Sequence, residues 1–284
     1  MGCSNFIVYE VQKRGVPASD QVRAVQNALP LWSLPKDFAF DGVFGAKTEE
    51  AVKTFQTAYG LASDGIVGRT TGTALGVWRT VERGIDASHY QTIDWSKFDA
   101  NIRFCIFKAT EGATYEDPTF HFNTQSALNK GLSVSAYHYT KFANSAFVEA
   151  ENFIRSCQIY LPKLDRLFLD VEHTTSGLDA VSVSLWVEVF GRIVNAFAPN
   201  KFGVYTSSRV LRELDIQWSD INRLGVLWGS DRTGQPHVYP WSHWDYWQYS
   251  SEGIVSGVQG QVDLNLRVVP PEQASQIKTF ANYL

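Results

Sequence analysis

The sequence predicts an α/β fold, an irregular eight-stranded barrel with five helices, preceded by a small all-α unit of three helices. Three observations lead there. From Gly84 onward, short apolar runs alternate with amphipathic stretches, the pattern of a parallel sheet with crossover helices. That alternation lapses towards the end. Thr233 to Pro240 carries two prolines, and Glu252 to Gly257 is too short and Gly-rich for a parallel crossover, so loops and some antiparallel pairing are expected there. Upstream, Asp41-Gly42-Val43-Phe44-Gly45-Ala46-Lys47-Thr48 recurs as Asp64-Gly65-Ile66-Val67-Gly68-Arg69-Thr70-Thr71.

Each copy of the repeat opens on an Asp-Gly turn signal and carries Thr where a helix N-cap is expected. Ala51, Val52 and Phe55 follow Thr48 at helical spacing, and Val22, Val25 and Leu29 do so after Ser19 and Asp20. The boundaries expected are 1–80 for the small domain and 81–284 for the barrel, with a short join around 76–83. In the barrel, strands are predicted near 84–88, 104–110, 134–140, 167–172, 201–207, 224–230, 244–250 and 262–267. Amphipathic stretches near 118–130, 145–160, 178–198 and 207–215 supply helices between the earlier strands.

The fourth strand carries the chemistry. Leu167-Phe168-Leu169-Asp170-Val171-Glu172 is an apolar run ending in two carboxylates at positions i and i+2, which project to one side of a strand. Apolar neighbours and mutual repulsion would raise the pKa of at least one of them, keeping one acid protonated beside one that is ionised.

The other strand ends repeat this chemistry at the barrel mouth, where active sites gather. They offer Asp86 and His89, Lys108 and Glu111, then Tyr137, His138 and Tyr139. Tyr205, Trp228, Asp231, Trp247, Gln248, Tyr249, Asp263 and Asn265 follow on the later strands. Trp95, Trp186 and Trp218 fall in helical or loop positions and are expected in the core.

Composition narrows the function. The 284-residue chain is 44% hydrophobic with a net charge of -4 and interspersed signs, so nothing resembles the basic stripe of a nucleic-acid binder. Cys3, Cys105 and Cys157 fit neither a disulfide framework nor a paired zinc motif, and free thiols are expected. The six His form no His-x-His or His-Glu-x-x-His pattern. No metal or cofactor is therefore expected. Met1 to Phe6 lacks a signal-peptide pattern and Phe6 spoils a myristoylation motif, so synthesis in the cytoplasm is expected, and no membrane partner. The last helix, around Glu272 to Leu284, has no basic amphipathic face for crossing an outer membrane.

Two resemblances add to this reading. Asp41 to Gln56 resembles the peptidoglycan-binding domain (type 1) carried by wall-lytic enzymes, which implies a non-catalytic grip on the wall. Gly84-Ile85-Asp86-Ala87-Ser88-His89-Tyr90-Gln91 and Phe107-Lys108-Ala109-Thr110-Glu111-Gly112 resemble glycoside hydrolase family 25, the lysozymes of phage endolysins and of some bacteria and fungi. Ala136-Tyr137-His138-Tyr139, Leu169 to Glu172, Trp247-Gln248-Tyr249 and Val262-Asp263-Leu264-Asn265 continue the match in order.

That resemblance implies a flattened TIM-like (β/α)5β3 barrel that cleaves the β-1,4 bond from N-acetylmuramic acid to N-acetylglucosamine. By position, Glu172 would be the general acid/base and Asp170 the second carboxylate, with Asp86 and Asp263 the flanking acids. Asp170 would attack the anomeric carbon or orient the substrate's 2-acetamido group. An i, i+2 strand pair places Cα atoms roughly 6.5–7 Å apart, which leaves both routes open. Tyr137, Tyr139, Trp228, Tyr249 and Gln248 are expected to line the sugar groove, and Glu111 to line it or anchor Lys108. The expected partner is peptidoglycan and the expected state a monomer. The domain order fits an endolysin from a phage of a Gram-negative host, released to the periplasmic wall through a holin. The rival readings are a zinc amidase or peptidase of the wall and a non-catalytic wall-binding protein.

Overall fold

A computed structural model of the chain describes residues 8–172 and 177–269. The helix expected around Glu272 to Leu284, and Cys3, lie outside the described residues. The chain divides into two compact units, one reaching to Val81 and taking in Val268 and Val269, the other spanning Glu82–Arg267.

The first unit contains α1 (Asp20–Ala28), a single 3-10 turn (Leu31–Ser33), α2 (Ala46–Ala58) and α3 (Arg69–Ala74). Ser19 caps α1, its Oγ accepting from the Val22 N–H at 3.2 Å. Val22, Val25, Leu29, Ala51, Val52 and Phe55 form the core, as the helical spacing predicted, and Phe44 and Val67 join them.

The repeat has a device that the sequence reading missed. Buried Gln26 donates from Nε2 to Asp41 Oδ1, Val43 O and Thr48 Oγ1, and its Oε1 accepts from the Gly42 N–H. Gln56 repeats the pattern on Asp64, Ile66, Thr71 and Gly65. Each glutamine locks one Asp-Gly turn, and Gly42 and Gly65 hold positive φ there, at 79° and 74°. The caps expected at Thr48 and Thr71 are corrected accordingly. Gly45 and Gly68 are the N-caps, and each Thr lies three residues further on, inside the helix and turned to its glutamine. Gln56→Leu would leave the buried partners of one turn unpaired. It should destabilise the first unit by about 2–4 kcal/mol, which calorimetry of the full chain would read as a lowered transition for that unit alone.

The second unit is a closed barrel. Its strands are β1 (Val81–Ala87), β3 (Phe104–Glu111), β5 (Ser133–Tyr139), β6 (Leu164–Asp170), β7 (Phe202–Ser207), β8 (Val226–Ser230), β9 (Tyr246–Gly253) and β11 (Val262–Val268), and β11 returns to β1. Pairing is parallel from β1 through β9, and β9 with β11 is antiparallel. Helices α4 (Phe120–Asn129), α5 (Ala146–Cys157), α6 (Ala180–Phe197), α7 (Ser208–Glu213) and α8 (Trp218–Ile221) fall between the earlier strands. All eight predicted strands are present. The strand pair β2 (Thr92–Ile93) and β10 (Val258–Gln259), the short β4 (Tyr115–Glu116) and one-turn α8 carry no periodicity from which they could have been predicted.

Inside the barrel, Phe104, Ile106, Phe168, Tyr205, Trp228 and Tyr246 form one cluster. Two strand glycines make room for it: a Cβ on Gly84 would lie 2.5 Å from the Phe104 ring, and one on Gly203 equally close to Phe168. The end away from the mouth is tied by Arg267, which binds Glu82, Asp165 and Ser133. The inward positions of β6 are therefore Phe168 and then Asp170, with Leu167 and Leu169 turned outward. The hydrophobic filling ends where the carboxyls begin.

Candidate active site

The barrel mouth encloses a cleft of about 460 Å³. Asp86, Glu111, Tyr137, Tyr139, Asp170, Glu172, Trp228, Gln248 and Asp263 all line it. The alternation that fills the interior also aims these side chains, since each is inward-facing or just past its strand's end. Asp263 stands near the start of its strand. Strand β11 runs against its neighbours, so the mouth receives its first residues and not its last.

Asp170, the last residue of β6, lies between Tyr139 of β5 and Tyr205 of β7 in the sheet register. It is 7% exposed, and its Oδ1 has no hydrogen-bond partner among the described residues. Burial, then the charge of Glu172, then that of Asp86 raise its carboxyl well above the usual range, and the Lys108 ammonium opposes them. Glu172, just beyond the strand, is half-buried. Of the two carboxyls, the deep one holds its proton more tightly than a free aspartate.

Asp86 is equally buried. Its Oδ2 accepts from Gln248 Nε2 at 3.0 Å and from Asn265 Nδ2 at 2.6 Å. Gln248 Nε2 also reaches Asp263 Oδ2 at 3.3 Å, so one amide bridges the two carboxyls. Burial first, and the Asp263 charge second, hold Asp86 well above the usual range, against the two amide donors. Gln248 is fixed from both ends, because its Oε1 accepts from the hydroxyls of Tyr205 at 2.9 Å and Ser230 at 3.1 Å.

Glu111 takes both of the roles expected of it. It lines the cleft and anchors Lys108 at 2.7 Å, and it also binds Lys141 at 2.6 Å. Partial burial pushes its carboxyl up, but the two ammonium groups hold it below its usual value. Lys108 lies over the Tyr139 ring, 5.1 Å from the centroid. Burial, then Asp170 and Glu172, raise the Tyr139 phenol to about 12.

Two expectations need correction. Tyr249 does not line the cleft. Gln248 points inward, so its strand neighbours point away, and the Tyr249 ring packs 5.8 Å from that of Trp247. Trp228 reaches the cleft but is only 2% exposed. Its ring fills the barrel against Phe168 and Tyr205, and its Nε1 donates to Asn265 Oδ1 at 2.8 Å. It forms the floor of the cleft and offers no open face for a sugar to stack on.

Sequence reasoning left Asn265 and Tyr205 without roles. Asn265 follows Asp263 by two on a strand and so shares its face, a signal that period-two reading contains. Ser88, Tyr90, Gln91 and Lys141 also line the cleft from loops, where no periodicity marks them. His89 and His138 lie outside the carboxyl cluster, with Nδ1 of His89 on Asp117 at 2.7 Å and His138 between Thr110 and Glu149.

Paired carboxyls at the mouth of a (β/α) barrel, one buried and one half-open beside it, are the equipment of a glycoside hydrolase. The chain belongs to glycosyl hydrolases family 25, whose family model matches residues 85–258. Residues 18–75 match the peptidoglycan binding domain family. Lysozyme M1 of Streptomyces globisporus is 31% identical over 197 residues, 64% of this chain and 66% of that protein. The autolytic lysozyme of Clostridium acetobutylicum is 30% identical over 189 residues, 64% of this chain and 55% of that protein. The chain thus spans about two thirds of the first relative's length and just over half of the second's. Among solved structures, the bacterial lysozyme from Streptomyces coelicolor aligns with TM-score 0.58 and 28% identity, covering 65% of this chain and 90% of that one. A family 25 glycosyl hydrolase from Bacillus anthracis shares the fold, with TM-score 0.59 and 23% identity.

Proposed function

We propose that this chain is a two-part wall-lytic muramidase. The barrel (within 81–284) hydrolyses the β-1,4 bond between N-acetylmuramic acid and N-acetylglucosamine, and the first unit (within 1–80) binds peptidoglycan. The observation that carries the reading is the Asp170–Glu172 pair at the end of β6, backed by Asp86 and Asp263. The family membership supports glycoside hydrolysis, and the two lysozyme relatives support the choice of bond. The pairing of a wall-binding domain with a lytic barrel fits an endolysin released to the wall through a holin.

In this reading Glu172, at the open side of the cleft, donates its proton to the glycosidic oxygen as the C1–O bond breaks. It then takes a proton from the water that attacks C1. Asp170 faces the positive charge developing at the anomeric centre. Whether it attacks C1 or orients the 2-acetamido group, it must be ionised. A carboxylate that burial has made costly to ionise gains more from that developing charge than a solvated one would, so the interaction is strongest in the transition state. Asp86 and Asp263 both accept from Gln248 Nε2, hold it and the cleft wall in place, and act as positioning residues.

Lys108 is the one group among the named causes that lowers Asp170. Lys108→Met removes that charge, so Asp170 stays protonated to higher pH. The acid limb of kcat/KM against pH should then move upward, while Lys108→Arg leaves it in place. An unmoved limb in Lys108→Met would detach Asp170 from it.

The reading is tested on purified sacculi. The full chain should solubilise them in excess EDTA, and Glu172→Gln should not. Inhibition by EDTA would favour a zinc amidase or peptidase, and undiminished biology in Glu172→Gln a non-catalytic wall binder.

A further inference from the structure

We infer that the first unit grips the wall in a groove between α2 and Trp32, and that the groove takes one disaccharide-peptide repeat, sugar ring on the indole and stem-peptide charges on the ion-paired side. This rests on the wall-binding reading above and specifies where that grip lies. The groove, about 680 Å³, is lined by Trp32 and by Ala46, Glu50, Lys53, Thr54 and Ala58 along one face of α2, with Arg14 and Glu49 at its charged side.

Three features of this groove point to such a ligand. Trp32 is 57% exposed, and among the described residues it alone of the unit's exposed large apolar side chains, Leu31, Phe40 and Tyr59 included, lines this groove. The 3-10 turn that presents it is held by Ser33 Oγ donating to Pro30 O at 2.8 Å. An exposed indole carried on a hydrogen-bonded turn suits the apolar face of a pyranose ring. Opposite it, the floor of α2 is made of Ala46, Thr54 and Ala58, small enough to let a ring lie close. Thr54 Oγ1 donates to Glu50 O at 2.9 Å, which leaves its lone pairs for an amide or hydroxyl donor.

The charged side carries both signs. Glu49 bridges Lys53 at 2.5 Å and Arg14 at 3.8 Å, with the Arg14 side chain 68% exposed. An Arg held at 3.8 Å and mostly in water can swing to a second carboxylate at small cost. A stem peptide supplies carboxylates for Arg14 and Lys53 and, at a diamino acid, an ammonium for Glu49 and Glu50. A plain polysaccharide supplies neither.

The test uses the full chain carrying Glu172→Gln, so that sacculi persist, and measures Kd for intact sacculi and for glycan strands stripped of stem peptides. Trp32→Ala should weaken binding to both at least tenfold, with partial rescue by Trp32→Phe. Arg14→Ala should weaken binding at least tenfold to intact sacculi only. The Gln56→Leu chain, above the first unit's melting transition, should lose at least tenfold in affinity for intact sacculi, falling to the binding that the barrel cleft retains. Unchanged affinity in Trp32→Ala with loss in melted Gln56→Leu would overturn the groove and leave the wall-binding reading standing. Undiminished affinity in melted Gln56→Leu would overturn both. An equal loss in Arg14→Ala on stripped strands would overturn the stem-peptide assignment.

Discussion

Glu172→Gln is expected to lower kcat on peptidoglycan by about 10³-fold or more, about 4 kcal/mol of transition-state stabilisation. The amide has the shape of the carboxyl but no proton to give and no basic oxygen to activate water. Both half-reactions fail at once. The side chain is half-buried beyond the strand's end, so melting behaviour and KM should barely change. Steady-state kinetics on solubilised glycan, with thermal melts alongside, would check this. A loss below tenfold would demote Glu172 from proton donor to cleft lining.

Asp170→Asn carries the second large effect, and it runs in two directions. Activity should fall by about 10²–10³-fold, because a neutral amide cannot stabilise the positive charge at C1. Stability should rise. The folded protein raises the Asp170 pKa above its unfolded value, with burial the first cause. Ionising it therefore costs folding energy as pH climbs through the window between the two values. Asn removes that cost. The variant's Tm should exceed the parent's at pH 7, by about 2–4 °C per kcal/mol recovered, and the gain should vanish at a pH below the unfolded carboxylate value. A variant that is less stable at pH 7 would mean that the Asp170 carboxylate is well solvated or paired.

Much of this was legible because barrels obey two short rules. Period-two alternation placed Asp170 and Glu172 on one side, and short apolar runs located all eight strands. The same rule, applied one residue at a time, would have excluded Tyr249, which shares a face with Trp247 and not with Gln248. Trp228 was misjudged for another reason. Position on a strand tells which way a side chain points but not how deep the layer lies, and Trp228 belongs to the layer just beneath the carboxyls. The last strand was expected over 262–267 with some antiparallel pairing, and the antiparallel β11 brings Asp263, near its start, to the mouth. The glutamine clamps of the first unit show the limit from the other side. Gln26 and Gln56 stand 15 and 8 residues before the aspartates they bind, and those unequal spacings hide them from a repeat search.

The measurement that tests the central claim most directly is the identity of the new reducing end. Purified peptidoglycan is digested with the full chain, reduced with borohydride and analysed by mass spectrometry, with Glu172→Gln in parallel. Reduced muramic acid in the parent digest, absent from the variant's, is the predicted result. Reduced glucosamine would contradict the bond assignment, and new amino groups without reducing ends would contradict the glycosidase chemistry of the Asp170–Glu172 pair.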